Sequence, residues 1–250
     1  MSVNDKIADN NPWYTGEQTP DAAHQTRVIA ERFSFIVRTV QSASWLRQHF
    51  DRRQISVLDA GCGDGFLLKE LVKLRVSCYG FDYNPIRVEN ARRNAPGATV
   101  VSQRDLMDQN TLPESFDVIV VSQVLEHVDD DEIVIRNLVA MLKPGGMLIA
   151  GVPNEGCLLG KLRNALFEPS IRKTTDHIRF YTEPVIRHRL EKAGLMIRHT
   201  YYESFMWPHQ RIGNWLESRE RGHRLSKWLG NKVPSQCGGF YFVCHKSKPE

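Results

Sequence analysis

The chain has 250 residues, 41% apolar and 25% charged, an ordinary globular composition that excludes disordered and fibrous classes and suits one large α/β domain. Its longest apolar runs, such as Val118–Val121 and Met147–Val152, are strand-sized and fall short of the roughly 18 residues a membrane span needs. The formal charge of +4 is uneven: Lys161 to Lys227 holds 14 basic and 7 acidic residues, a local excess of +7 that leaves −3 for the remainder.

That excess, with His177, His188, His199, His209 and His223 in the same window, predicts a surface for an anionic partner, set against the plainer reading of a solvated Arg-rich face. The five cysteines (Cys62, Cys78, Cys157, Cys237, Cys244) are scattered and odd in number. No Cys-x-x-Cys pair points to zinc, and the pattern suits a reducing compartment. The N-terminal Met-Ser-Val-Asn-Asp-Lys lacks an apolar export segment, so the expected location is the cytoplasm.

After a polar start containing Trp13 and Tyr14, the apolar residues Ile29, Phe33, Ile36, Val37 and Val40 recur at helical spacing and predict an amphipathic helix from about His24 to His49. Strands and helices then alternate: strand Ile55–Leu58, helix Phe66–Leu74, strand Val76–Phe81, helix Pro85–Asn94, strand Ala98–Ser102. Strand Phe116–Ser122, helix Glu132–Leu142 and strand Met147–Gly151 follow, with Lys143-Pro-Gly-Gly as a turn. Strands that stay apolar throughout, in βαβ order, imply a mostly parallel sheet covered on both faces.

Beyond Val152-Pro-Asn, residues Leu158, Leu162, Ala165 and Leu166 predict a short amphipathic helix, and Pro169–Phe180 a loop. A helix starts at Thr182-Glu-Pro and ends at Gly194. Strand Leu195–Phe205, helical residues 207–229 with Trp207, Trp215 and Trp228 as core or interface anchors, and strand Gly239–Cys244 complete the chain. One domain is expected: residues 1–54 an N-terminal helical lid region, 55–152 a cofactor-binding core, 153–250 substrate-side elaborations and final antiparallel strands.

The chemistry concentrates in Asp59-Ala-Gly-Cys-Gly-Asp-Gly65, between a strand and a helix. Glycines there let the backbone turn tightly and approach a ligand, with helix amides behind them. About twenty residues on, Asp82 ends the next strand, where a carboxylate can take both hydroxyls of a ribose. The spacing Gly61-x-Gly63-x-Gly65 is not that of a dinucleotide fold, and Asp59 would repel a pyrophosphate but hold an ammonium group. A cofactor with ribose, adenine and an aminoacyl arm satisfies both facts, namely S-adenosyl-L-methionine.

At these residues the chain resembles the class I S-adenosylmethionine-dependent methyltransferases, most of all the small-molecule type 11/type 23 branch that includes the ubiquinone-biosynthesis O-methyltransferases. The likeness spans Val57 to Asn154: Leu58–Gly65, Asp82, Arg104-Asp105-Leu106, Phe116–His127 and Leu142–Ile149, with a weaker echo at Asp176–Thr182 and Leu190–Leu195. It implies a Rossmann-like α/β/α sandwich whose seven-stranded sheet is mostly parallel with an antiparallel last strand. It implies cofactor contacts from Asp59, Gly61, Cys62, Gly63, Asp82, Tyr83, Asp105, Leu106, Gln123 and Val124.

Past the fourth strand, His127 is the candidate general base, weighed against a structural role, and Glu126 is read as packing. His177 and Arg179 are candidate substrate contacts, with Arg172 and Lys173 nearby, and an acceptor with an acidic group is expected. His24 and Arg27 are weaker candidates for the cofactor carboxylate. The expected activity is methyl transfer to oxygen or nitrogen of a small molecule. A nucleic-acid methyltransferase using the basic region, and a non-catalytic binder of the cofactor, stand as alternatives. Against the former, Ser122-Gln-Val-Leu replaces the Asn/Asp-Pro-Pro-Tyr run of base-amino methyltransferases. Arginine methylation lacks its two-glutamate loop, and metal-dependent catechol chemistry lacks its acidic ligands, so no metal is expected.

Overall fold

The computed structural model describes residues 23–50, 54–108, 112–167 and 177–247. In chain order the elements are α1 (Ala23–Phe50), β1 (Ser56–Ala60), α2 (Phe66–Leu71), β2 (Ser77–Asp82), α3 (Pro85–Asn94), β3 (Val100–Gln103), β4 (Phe116–Ser122), α4 (Asp131–Met141) and β5 (Leu142–Pro153). Then come α5 (Leu158–Leu162), α6 (Glu183–Lys192), β6 (Leu195–Tyr202), α7 (Gln210–Glu217), α8 (Glu220–Lys232) and β7 (Gly239–Lys246). The seven strands form one sheet in the order β3-β2-β1-β4-β5-β7-β6. Strands β1 to β5 pair in parallel, and β7 runs antiparallel to both β5 and β6.

Both sheet faces are covered, which is why the central strands read as unbroken apolar runs. Period-two alternation sends Leu58, Ile119, Val121, Leu148, Phe240 and Phe242 to one face, against Val134, Ile135 and Leu138 of α4 and Ile186 and Leu190 of α6. Val57, Val118, Val120, Ile149 and Tyr241 go to the other, against Ile36 and Val40 of α1, Leu68 and Leu71 of α2, and Val88 and Ala91 of α3. The strand order reverses between β1 and β4, so the loops leaving these two strands open a crevice at their C-terminal ends, where ligands of open α/β sheets bind.

Local departures from the sequence reading have packing causes. The expected turn Lys143-Pro-Gly-Gly lies inside β5: the register passes from Phe116↔Leu142 to Val118↔Met147, so these residues bulge opposite Asp117, and Lys143 Nζ meets Asp117 Oδ2 at 3.0 Å. The helix after β5 is short and runs into a π-helical turn, Arg163–Phe167. Its expected apolar stripe is not buried, since Leu158 and Leu166 are exposed while Gly160 is the residue packed inward. The helical stretch expected at residues 207–229 consists of the two helices α7 and α8.

Candidate active site

Two loops meet at the crevice. The first is left-handed at each glycine, with φ +78°, +52° and +79° at Gly61, Gly63 and Gly65. A side chain at Gly61 would collide with Val124 in the loop after β4, so glycine is what lets the two loops touch. The loop is braced from within. The amides of Gly61 and Cys62 both donate to Phe81 O at 2.7 and 2.9 Å, and that of Gly65 to Cys62 O at 2.9 Å. The Gly63 amide donates to Asp82 Oδ2 at 2.8 Å, and buried Asp64 ties the loop to α3 through Arg87 and through Asn90 Nδ2 at 2.9 Å. The amides of Gly61, Cys62, Gly63 and Gly65 are thus engaged within the protein, as distinct from the amides of α2 that were expected as donors behind the loop. A pyrophosphate would find these four loop amides engaged.

The loop instead presents acids. Asp82 ends β2, nearly buried, and its Oδ1 accepts the Asn84 amide at 2.9 Å. Burial raises its pKa, opposed by the two amide hydrogen bonds and by Arg87. A carboxylate has about four lone-pair sites, so capacity remains for a diol. Asp59, buried at the end of β1, has an Oδ2 without a hydrogen-bond partner among the described residues. Burial, then the neighbouring Asp82, pushes its carboxyl up to about 7. In the loop after β4, Gln123 is held at φ +57° by its amide donating to Gly151 O at 2.9 Å, with a buried Nε2 that also lacks a partner among the described residues. Unsatisfied buried polar atoms and a left-handed non-glycine residue mark a place built for a ligand. Their chemistry fits one that brings a cation and hydroxyls.

Beside this crevice lies a small cleft of about 50 Å3 lined by Phe81, Arg104, Asp105, Leu106, Asn137 and Met141, among others. The Arg104 guanidinium lies over the Phe81 ring at 5.0 Å. Asp105 Oδ1 accepts the Met107 amide at 2.9 Å, and Asn137 Nδ2 donates to Leu106 O at 2.9 Å. Tyr83 follows Asp82 on the way to this cleft, its carbonyl accepting from Gln103 Nε2 at 3.0 Å. The Asp82, Asp105 and Leu106 expected at a nucleoside are thus on adjoining strand ends.

A third group of residues gathers where β4 and β5 end. The segment before α6 is fastened to the loop after β4: Ile178 N donates to Glu126 O at 2.9 Å, and Tyr181 Oη to Leu125 O at 3.1 Å and to Asp131. This brings the rings of His127 and His177 to 4.7 Å, edge to face at 75°. His177 Nδ1 meets Glu155 Oε2 at 2.7 Å, and Arg163 faces the other Glu155 oxygen at 3.5 Å. Glu126 is fully buried with neither oxygen partnered among the described residues, and burial lifts its carboxyl to about 7, against the pull of His177 and Arg32. One oxygen of Glu126 and a nitrogen from each histidine lie within 4.8 Å of one another, close enough for a divalent cation to bridge them.

Residues 26–200 match the methyltransferase domain family. The chain belongs to that family. It is 30% identical over 217 residues to the ubiquinone biosynthesis O-methyltransferase of Methylobacterium nodulans, a match covering 81% of this chain and 85% of the relative. To the mitochondrial ubiquinone biosynthesis O-methyltransferase of Schizosaccharomyces pombe it is 28% identical over 171 residues, 66% of this chain and 57% of that one. The fold is shared with N-methyltransferase NodS of Bradyrhizobium japonicum, solved in complex with S-adenosyl-L-homocysteine: TM-score 0.58, 17% identity, 99% of this chain and 97% of that chain covered. The cofactor of this methyltransferase is S-adenosylmethionine, and the unsatisfied Asp59 oxygen and Gln123 amide nitrogen fit the ammonium and the carboxylate of its aminoacyl arm.

Other expected contacts fall elsewhere in the methyltransferase. The Arg179 guanidinium, expected at the substrate, is committed to the carbonyls of Val128 and Asp129 and to Asp131 at 3.4 Å. It clamps the loop that carries His127. Arg27 donates to Glu217 O at 3.3 Å, facing α7. Trp13, Tyr14, Arg172, Lys173 and the side chain of His24 lie outside the described residues. Sequence reasoning missed Glu155, whose signal was weak: a lone acid directly after a parallel strand, at the edge where this fold keeps its ligands.

The state of Asp59 has a measurable consequence. A carboxyl held at about 7 by burial must ionise before it can pair with an ammonium group. Cofactor affinity should therefore rise as the pH rises through about 7 and level off above it, with a proton released on binding below that point. Calorimetry in buffers of different ionisation enthalpy checks both. Asp59→Asn should bind weakly at every pH, and its affinity should no longer vary across that range.

Proposed function

We propose that this methyltransferase acts on a hydroxyl oxygen of a small-molecule acceptor, with His127 as general base. The observation that supports this reading is the His127–His177–Glu155 chain beside the cofactor crevice. The names of the O-methyltransferase relatives support an oxygen acceptor. Asp82 would hold the ribose diol, with Tyr83 beside it, Asp105 and Leu106 the adenine, Asp59 and Gln123 the aminoacyl arm. Gly61, Cys62, Gly63 and Val124 would shape the wall between them. When bound, S-adenosylmethionine supplies a methyl group already activated on a sulfonium.

The chain's task is then alignment, exclusion of water and removal of one proton. Glu155 accepts from His177 Nδ1, which fixes that ring's tautomer and leaves Nε2 as an acceptor. His127 takes the hydroxyl proton, and the His177 ring packed edge to face against it holds the imidazole in place. Part of the positive excess that raised the prospect of an anionic acceptor is absorbed, since five of its fourteen basic residues, Arg163, Arg187, Arg189, Lys192 and Lys227, sit in ion pairs. The reading therefore does not require a charged acceptor. Five free, buried cysteines support a reducing compartment such as the cytoplasm.

Glu155→Gln should lower kcat by about tenfold to a hundredfold, shift the acid limb of the rate profile to lower pH because the negative charge that favours an imidazolium is gone, and leave cofactor affinity unchanged. Rate profiles against pH on the variant and the parent check this. Wild-type activity should also survive chelation. Loss on chelation with recovery on adding a divalent cation would place a metal, not a general base, among Glu126, His127 and His177.

A further inference from the structure

The hairpin of α7 and α8 is packed with its apolar side out. In α8 the inward residues are Gly222, His223, Ser226 and Gly230, whereas Leu225 and Trp228, one turn apart, are 45% and 56% exposed. In α7 the inward residues include Gly213 and Glu217, and Ile212 and Trp215 are 52% and 57% exposed. The inversion has a cause. Side chains at Gly222 and Gly230 would collide with the backbone of Leu216 and Glu203. His223 spans Glu31 of α1 and Glu217 of α7 at 2.5 Å each, and Ser226 Oγ accepts from Trp207 Nε1 at 2.9 Å. The small and polar side is thus locked inward, which leaves the large apolar residues nowhere to go but out.

The rim of this apolar surface is cationic. Arg211, Arg219, Arg221, Arg224 and Lys232 are exposed on the two helices, against the single exposed acid Glu220. Arg219 lies over the Trp215 ring at 4.0 Å. We propose that the outer face of α7 and α8 docks the protein peripherally on an anionic lipid membrane. Tryptophan and aliphatic side chains on an exposed helical surface settle at the boundary of headgroups and acyl chains, while flanking arginines meet anionic headgroups. No described helix is long and apolar enough to cross a membrane, so the attachment is to its surface. A second copy seated on the same face would set arginines against arginines across a twofold axis.

Co-sedimentation of the full chain with vesicles tests this. The protein should pellet with phosphatidylcholine vesicles that carry phosphatidylglycerol, and stay in solution with phosphatidylcholine alone or at high salt. Two double variants, Trp215→Ser with Trp228→Ser and Arg221→Glu with Arg224→Glu, should each lose about tenfold or more in vesicle affinity. Both should keep the parent's melting temperature and its affinity for S-adenosylhomocysteine. Indifference of the parent to anionic vesicles, or unaltered binding by both folded variants, would overturn the proposal. So would a dimer in ultracentrifugation that the tryptophan variant dissociates, without vesicle binding, since the face would then belong to a second copy.

Discussion

Asp82→Ala is expected to weaken binding of S-adenosylmethionine by about 2–4 kcal/mol, roughly thirtyfold to a thousandfold. Two effects combine. The variant loses the charge-assisted acceptor for the ribose hydroxyls, and it releases the Gly63 amide that Asp82 Oδ2 holds at 2.8 Å, so the glycine loop loses a brace. Asp82→Asn separates them, because an amide oxygen can still accept one of the two backbone bonds while the charge is gone. It should fall between the parent and the alanine variant. Calorimetry with S-adenosylhomocysteine measures both, and NAD in the same cell should show no binding to any of the three proteins. Unchanged affinity in Asp82→Ala would remove the nucleoside end of the site from β2.

The second large effect is expected at His127. If the imidazole takes the acceptor's proton, His127→Ala should cost about a hundredfold to ten-thousandfold in kcat, with KM and cofactor affinity little changed. Raising the pH should restore part of the rate, because an acceptor that ionises in solution no longer needs the base. A structural histidine would behave otherwise: its loss would disturb the 4.7 Å packing on His177, lower the melting temperature and gain nothing from alkaline conditions. The rate–pH profile of the variant therefore separates the two roles.

Much of the cofactor half was legible because its signals are local. Phe116–Ser122 and Pro85–Asn94 take the spans their sequence predicts: the strand is a bare apolar run flanked on both faces, and the helix has Asn84 as N-cap, accepting the Ile86 amide at 2.9 Å, before Pro85. Gly61, Asp59 and Asp82 are close in sequence to the strand ends that display them. The acceptor half was not legible in the same way. Glu155 and His177 meet only because Tyr181 and the backbone of Ile178 fasten one loop onto another. Nothing in the local sequence of Arg179 announces that carbonyls of Val128 and Asp129 will claim its donors.

The last helices show a different failure of periodicity. Trp228 reads as a core or interface anchor and shares an outward stripe with Leu225, because the inward side of α8 is decided by Gly222 and Gly230, which permit its close approach to Leu216 and Glu203. Hydrophobic spacing identifies a face. It does not say whether that face is turned inward when a smaller, polar one packs more closely.

The reading of this protein as a small-molecule O-methyltransferase is tested most directly by offering methyl-labelled S-adenosylmethionine together with separate pools of phenols and other small hydroxyl compounds, amines, and RNA, and following where the label goes. The account predicts label on a hydroxyl oxygen of a small molecule, transferred by the parent and not appreciably by His127→Ala near neutral pH. Label on RNA or on amine nitrogen, or equal transfer by the His127 variant, would contradict it.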